Sequence, residues 1–183
     1  MKKIFLLITL TTLLACCNKD DKSTPTPTPD SQLPPATQTG ANTFGCLLDG
    51  VIFKPGLTNN SYQCYYQLVN GEYYFNVNAN YEKNGILKSL AIFTAKLAIS
   101  EGQNYILKEN NNGNVIGKYF VGNNNSGIIE EYYTSTINTG ELKITKLDFT
   151  NNIVSGTFWY DVKDNQNVTH QIRDGRFDMR FTQ

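Results

Sequence analysis

Few residues of this chain have side chains suited to catalysis. The only histidine is His170, and no Gly-x-Ser-x-Gly turn is present to carry a serine nucleophile, which argues against a histidine-dependent hydrolase. One histidine and four cysteines are too few ligands for a clustered zinc site. We therefore predict that the protein has no catalytic residue, no metal and no cofactor.

Carboxylates leave one enzymatic alternative open, an extracellular polysaccharide hydrolase. Glycoside hydrolysis needs two carboxyl groups that flank the scissile bond. The aspartates available for that role are Asp148, Asp161, Asp174 and Asp178. Their spacing along the chain does not by itself bring any two of them together.

Aromatic and amide side chains at alternating positions indicate recognition rather than catalysis. In residues 73–82, apolar residues alternate with polar ones, which is the period of a strand with one face in water. In residues 153–162, the same period sends the single tryptophan to the polar face. An aromatic ring beside amides offers contact area for a sugar or a peptide at little cost in entropy. The candidate ligand-binding face comprises Trp159, Tyr74, Asn76 and Asn78. The alternative is that a second sheet or a loop covers Trp159 and makes it part of the core.

Two cysteines lie within the C-terminal domain. Cys46 and Cys64 are candidates for a disulfide, because such bonds persist outside the cytoplasm. A bridge over a loop of this length would stabilise the fold by roughly 3 kcal/mol in the chain-entropy account. The alternative is two buried free thiols, since the sequence does not show whether the two segments are neighbours.

The first residues have the pattern of a secretory signal peptide. Two lysines precede a mostly apolar run over residues 4–14. That run is about half of the ~20 apolar residues that cross a bilayer. The Leu-Leu-Ala-Cys sequence that ends at Cys16 resembles the lipobox of bacterial lipoproteins. The resemblance implies that residues 1–15 are removed and that Cys16 is the lipid-attachment residue, carrying acyl chains such as palmitate. The alternative is an ordinary secretory signal.

A Pro-rich segment separates this N-terminus from the domain. Five of the six prolines lie in residues 23–38, a composition with too little apolar surface to offset its ordering entropy. We predict that residues 16–38 are the lipidated N-terminus and a disordered tether. Residues 39–183 are predicted to form a single β-rich domain.

The residues that follow Cys16 indicate where the protein is located, and the charge balance of the chain indicates which partners it binds. Lys19-Asp20-Asp21 resembles the surface-export signal of Bacteroidota lipoproteins, which implies the outer membrane and its exterior face. The alternative is the periplasmic face. The chain carries 16 basic and 16 acidic residues, a balance that argues against nucleic-acid binding. The predicted partners are a membrane, through the lipid anchor, and a glycan or a surface protein.

Turn dipeptides divide the domain into short strands. Asp49-Gly50, Asn70-Gly71 and Asn84-Gly85 are typical of tight hairpins. Residues 86–99 fit both a strand and a helical stripe, and the hairpin signal before them favours a long central strand covered on both faces. Many short strands with polar turns predict an all-β fold, an antiparallel β-sandwich. The alternative is a partly closed, lipocalin-like β-barrel.

Four segments of the domain carry a resemblance to a known family. They are Thr-Gly-Ala-Asn-Thr-Phe-Gly-Cys at residues 39–46, Thr-Gly-Glu-Leu-Lys-Ile-Thr-Lys-Leu-Asp at 139–148, Ile-Val-Ser-Gly-Thr-Phe at 153–158 and Asp-Gly-Arg-Phe-Asp at 174–178. They resemble Bacteroidota lipoproteins with a C-terminal β-rich domain of unknown function, over essentially the whole domain. The resemblance implies an extracytoplasmic lipoprotein and transfers no catalytic residue. We expect a non-enzymatic binding module for a glycan or a protein; the alternatives are the hydrolase and a carrier with a cavity for a small ligand.

Overall fold

The computed structural model describes residues 32–56 and 61–183. Within these ranges eleven strands form one mostly antiparallel sheet, and no α-helix occurs. The strands are β1 Thr43–Leu48, β2 Val51–Phe53, β3 Tyr62–Val69, β4 Glu72–Lys83, β5 Ile86–Thr94, β6 Asn104–Leu107, β7 Val115–Asn123, β8 Ile128–Tyr133, β9 Gly140–Asp148, β10 Ile153–Lys163 and β11 Thr169–Arg180.

The sheet folds over on itself to make two layers. Its strand order is β2-β1-β11-β10-β9-β6-β7-β5-β4-β3, with β8 paired to β7. The sheet bends back on itself between β6 and β7, which pair only at Leu107 and Val115. Across the interior, the Tyr160 hydroxyl on β10 donates a hydrogen bond to the Lys118 carbonyl on β7 at 2.8 Å. The first layer is therefore β2, β1, β11, β10, β9 and β6, and the second is β8, β7, β5, β4 and β3.

This architecture confirms the predicted all-β antiparallel fold. Among the described strands, the order has two ends, β2 and β3, so the sheet is open, as in a sandwich, and not a closed barrel. The predicted hairpins are also present. At Asn70-Gly71 both residues have positive φ, 51° and 81°, as a type I′ turn requires.

The core lies between the two layers, where the predicted alternation of β4 places its apolar side chains. Phe75 and Val77 on β4 are fully buried. The Phe75 ring lies 6.3 Å from the ring of Phe177 on β11, which joins the two layers. Each large side chain removed from water here stabilises the fold by about 1.5–3 kcal/mol.

Residues 86–99 form a central strand, as favoured, but a shorter one than predicted. β5 ends at Thr94, and the helical alternative is wrong. The Thr94 hydroxyl accepts the hydrogen bond of Phe75 N at 2.9 Å, a bond that a strand carbonyl would otherwise accept. Lys96 then turns the chain with a φ of 56°. The apolar pattern of the sequence continues beyond the end of β5 because the loop that follows places Ile99 in the core.

Residues 32–41, which we name the N-terminal strap, pack against the outer face of the first layer. Leu33 is buried, and a side chain on Gly45 of β1 would collide with Pro34. Further along the strap, the Thr37 hydroxyl donates to the carboxylate of Asp178 on β11 at 2.6 Å. Residues 32–38 therefore belong to the packed domain, which corrects the disordered tether that we extended to residue 38.

The N-terminal features predicted from sequence lie outside the described residues. These are the signal peptide at 1–15, Cys16 and most of the tether. In residues 32–56 and 61–183, no helix combines the length and the apolar character needed to cross a bilayer.

Candidate functional site

The outer face of the second layer carries an open depression, which we name the amide groove. Its volume is about 400 Å³. It runs across β3, β4, β5, β7 and β8, and its walls and floor are Tyr65, Asn76, Asn78, Asn80, Leu87, Ser89, Ala91, Phe93, Lys118, Phe120 and Glu131. The outward-facing residues of these strands line the groove, because the inward-facing residues of the same strands form the core.

Small residues on β5 make the groove floor. Ser89 and Ala91 point outward, since their neighbours Leu90 and Ile92 fill the core. They are nevertheless only 8% and 5% exposed, because larger side chains stand on both sides. In register, Ala91 lies between Asn78 on β4 and Lys118 on β7. The two small side chains in the middle of the central strand, between Leu87 and Phe93 at its ends and larger side chains on the neighbouring strands, produce a concave surface.

Amides form one wall. Asn76, Asn78 and Asn80 alternate along β4 and therefore point to the same face, about 6.6 Å apart along the strand. Each amide can both donate and accept hydrogen bonds. The Oδ1 atom of Asn78 is buried and has no hydrogen-bond partner among the described residues. Such an acceptor costs roughly 1–3 kcal/mol, which a donor group on a ligand would offset.

A neutralised ion pair and aromatic rings form the opposite wall. Lys118 Nζ lies 2.8 Å from Glu131 Oε1 and 5.8 Å from the centre of the Phe120 ring. The Tyr133 hydroxyl donates to Glu131 Oε2 at 2.6 Å. The hydrogen bonds from Lys118 and Tyr133 lower the pKa of Glu131, so the carboxylate is charged at neutral pH and balances the lysine. Burial, followed by the contact with Glu131, raises the pKa of Tyr133 to about 12. The groove therefore has no net charge.

The structure separates the four residues of the predicted binding face. Asn76 and Asn78 line the amide groove, and Tyr74 precedes them on the same face of β4. Trp159 points outward from β10 in the other layer, so it lies on the opposite side of the sandwich. The prediction of one shared face is wrong, because the sequence period gives the face of each strand but not the layer to which the strand belongs.

Trp159 is 40% exposed, so no sheet or loop covers it completely. The Arg173 guanidinium lies 5.3 Å from its ring centre and forms an ion pair with Asp161 at 2.7 Å. The cleft beside the ring has a volume of about 360 Å³, and Ala36 of the N-terminal strap contributes to its lining. The Arg173 guanidinium thus covers one face of the Trp159 ring, and its ion pair with Asp161 holds it in position.

The aspartates considered for hydrolysis mostly hold local structure. Asp178 is fully buried under the strap. Asp148 accepts hydrogen bonds from the backbone of Thr150 and Asn151 in its own turn, and Asp161 pairs with Arg173. Three of the four carboxylates therefore have protein partners.

His170 joins two hairpin ends rather than facing the amide groove. Its Nδ1 atom lies 2.8 Å from Asp49 of the β1–β2 turn, and its Nε2 atom lies 3.5 Å from Asp164 of the β10–β11 turn. The edge of its ring contacts Tyr119 at a centroid distance of 5.1 Å. In the described part of the chain, no group of three or more His, Cys, Asp or Glu residues is arranged to hold a metal ion.

The candidate disulfide is not formed, and Cys46 and Cys64 are buried free thiols. Cys46 lies on β1 in the first layer and pairs with Phe53, whereas Cys64 lies on β3 in the second layer and pairs with Val77. The two strands stand at different ends of the strand order. Burial raises the pKa of both thiols well above the usual range.

We expect both thiols to resist alkylation in the native protein. Only a thiolate reacts readily, and burial with a raised pKa keeps each sulfur protonated and inaccessible. Treatment with iodoacetamide at pH 8, followed by peptide mass spectrometry, should leave the peptides of Cys46 and Cys64 unmodified. In urea without a reductant, both should become labelled. A disulfide-linked peptide pair in the urea sample would contradict this expectation.

Sequence reasoning missed most of the groove. Ser89, Ala91, Phe93 and Phe120 were assigned no functional role, although their alternation marks them as outward-facing. The available signal was the pair of small outward residues in the middle of β5, Ser89 and Ala91, beside larger outward residues on β4 and β7. This signal can be recognised only when β4, β5 and β7 are known to be adjacent.

Comparison of this chain with protein-family models, with curated proteins and with solved structures finds no match. The fold and the surface together define a class: an all-β, sandwich-like domain with an uncharged, amide-lined groove on one outer face.

Proposed function

We propose that this protein is a lipid-anchored surface protein whose amide groove binds a neutral glycan without catalysing a reaction. The observation that carries the proposal is the row of three asparagines on β4 that faces Phe120 on β7 across a small-residue floor, with Phe93 beside Asn76 at one end. Amides match hydroxyl groups because both donate and accept hydrogen bonds. Aromatic rings such as Phe93 and Phe120 offer flat apolar area for the C–H faces of a sugar.

Charge favours a neutral ligand over a charged one. Lys118 and Glu131 neutralise each other, and they are the charged residues that line the groove within residues 32–56 and 61–183. A groove without net charge provides no long-range attraction for an acidic polymer. A glycan fits better than a protein partner, because protein interfaces usually bury an apolar or aromatic patch with a polar rim, whereas here a row of amides forms one whole wall of the groove.

The location and the absence of catalysis rest on separate support. The lipobox-like sequence at Cys16 and the Lys-Asp-Asp sequence after it favour an anchor on the outer membrane with the domain facing the exterior. The structural contacts of Asp148, Asp161 and Asp178 favour a binding role over hydrolysis. The N-terminal strap covers part of the outer face of the first layer, which is the face opposite the amide groove.

A glycan array probed with the full chain tests the proposal. We expect retention on neutral polysaccharides or oligosaccharides, and a loss of affinity of about tenfold or more in Asn78→Ala and in Phe120→Ala, since one good polar or stacking contact is worth about 1.4 kcal/mol. Asn78→Ala should leave the free energy of unfolding unchanged or raise it, because the unpaired acceptor is removed.

Trp159→Ala is the matched control, because it removes an exposed aromatic ring from the opposite face. It should retain the affinity of the unmodified protein for every glycan that binds. The proposal would be refuted if none of the neutral glycans on the array bound the chain. Loss of binding in Trp159→Ala, with full affinity in both groove variants, would also refute it and would move the site to the cleft beside Trp159.

A further inference from the structure

A second cavity opens at one end of the sandwich, between the β1–β2 hairpin and the β4–β5 hairpin. Its volume is about 440 Å³, within the range of small-molecule sites, and it shares no lining residue with the amide groove. Its walls are largely apolar, with Val51 and Phe53 on β2 facing Tyr81 on β4 and Ile86 on β5. Val51 is 69% exposed, an unusual degree for a valine beside an open cavity.

Two lysines line this cavity, and Lys83 is exposed whereas Lys88 is partly buried. Lys83 lies opposite Ile86, and Lys88 lies opposite Tyr81, in the β4–β5 register. Lys88 has the same phase on β5 as Leu90 and Ile92, which fill the core, so it points to the inner side of the sheet. A cation at an inward-facing position is unfavourable unless an anion or water accompanies it.

Neither lysine has an anionic partner in the part of the chain that the structure describes. The ion pairs found there involve Lys118, Lys146, His170 and Arg173. The carboxylate of Asp49 also lines the cavity, but it accepts hydrogen bonds from His170 Nδ1 and Gln171 N, each at 2.8 Å. The cavity therefore combines apolar walls with two cations and one carboxylate that is already engaged.

We propose that this cavity binds a free medium-chain carboxylate, with the alkyl chain against the apolar walls and the carboxylate between Lys83 and Lys88. An uncharged apolar ligand would leave both ammonium groups without a partner. A carboxylate can accept one charge-assisted hydrogen bond from each of the two ammonium groups. This site is independent of the amide groove, so either proposal can fail without the other.

Binding of octanoate and of 1-octanol distinguishes the contribution of the two lysines from that of the walls. The two probes have alkyl chains of the same length and differ in charge. Isothermal titration at pH 8 would use the full chain carrying Cys16→Ser, which removes the proposed acylation site and permits work without detergent. We expect octanoate to bind at least about tenfold more tightly than octanol, as one net charge-assisted contact requires.

The double variant Lys83→Gln/Lys88→Gln should weaken octanoate binding by about tenfold and leave octanol binding unchanged. Lys143→Gln/Lys163→Gln is the matched control, because both lysines are exposed and neither lines the cavity, and it should bind both probes as the parent chain does. Equal affinity for the two probes would overturn the proposal, as would equal octanoate affinity in the two double variants. A dimer whose interface includes Val51 of the cavity wall, and which octanoate does not dissociate, would also overturn it, since a second copy would then cover the cavity.

Discussion

Replacing Asp178 by asparagine is expected to lower the free energy of unfolding by about 3 kcal/mol or more. The buried carboxylate accepts six hydrogen bonds, five of them from the N-terminal strap and one from Ser155. An amide of the same shape replaces one accepting oxygen with an NH₂ group, which cannot accept a hydrogen bond from those donors. Urea unfolding of the full chain measures the loss.

Asp174→Asn is the matched control for this substitution. Asp174 is exposed, four residues away on the same strand, and has a φ of 52°, a conformation that asparagine tolerates well. We expect the control to change the free energy of unfolding by less than about 0.5 kcal/mol. Equal, small effects of the two substitutions would show that the strap does not depend on the carboxylate.

The same carboxylate should make stability depend on pH. Burial alone would raise the pKa of Asp178, but the hydrogen bonds from Thr37, Thr39, Ser155 and Gly40 hold it well below its usual range. In the unfolded chain the pKa returns to about 3.9, so below that value the unfolded state binds a proton that the folded state does not. The contribution is therefore fully present at pH 7 and is lost progressively as the pH falls below about 4.

A comparison between the parent chain and Asp178→Asn separates the effect of Asp178 from that of the other carboxyl groups in the chain. The difference between their free energies of unfolding should be large at pH 7 and smaller at pH 3. A difference that is the same at both values would contradict a lowered pKa at Asp178.

Gly140→Ala is expected to destabilise the fold by about 3 kcal/mol or to prevent folding. Gly140 begins β9 and pairs with Tyr160 on one side and Leu107 on the other. A β-carbon at this position would lie 2.2 Å from the Trp159 carbonyl oxygen and 2.3 Å from Tyr160 Cβ. Neither group can move away without breaking the β9–β10 ladder, so the collision cannot be relieved locally.

Gly56→Ala provides the comparison for Gly140→Ala. The nearest atom to a β-carbon at Gly56 would be the Ser61 hydroxyl oxygen at 3.1 Å, a contact that a shift of a few tenths of an ångström relieves. Thermal unfolding should show a large decrease in melting temperature for Gly140→Ala and a small change for Gly56→Ala. Near-native melting of Gly140→Ala would mean that β9 and β10 are further apart than the structure shows.

Local patterns predicted the strands because each rests on chemistry within a few residues. The alternation on β4 fixes which side chains enter the core, and Asn70-Gly71 adopts the positive φ values that a tight hairpin needs. The same reasoning placed Trp159 on the polar side of its strand and left open whether a second sheet or a loop covers it; in the structure the ring is partly exposed.

Long-range placement could not be read in the same way. Asn78 and Trp159 lie on opposite faces because β4 and β10 belong to different layers, and no local pattern encodes that assignment. The burial of Asp178 could not be predicted from local sequence either, since the strap that covers this carboxylate is more than 130 residues away in sequence. Composition indicated a disordered tether up to residue 38, but hydrogen bonds to one distant side chain hold its last residues in place.

Chemical-shift mapping of the full chain with the glycan that it binds most tightly tests the central claim most directly. If the amide groove is the binding site, the largest shifts of backbone amides will fall on β4, β5 and β7, around Asn78, Ala91 and Lys118. Amides of β10 and β11 near Trp159 and Arg173 should remain unshifted. The largest shifts around Trp159, with the groove strands unchanged, would contradict the account.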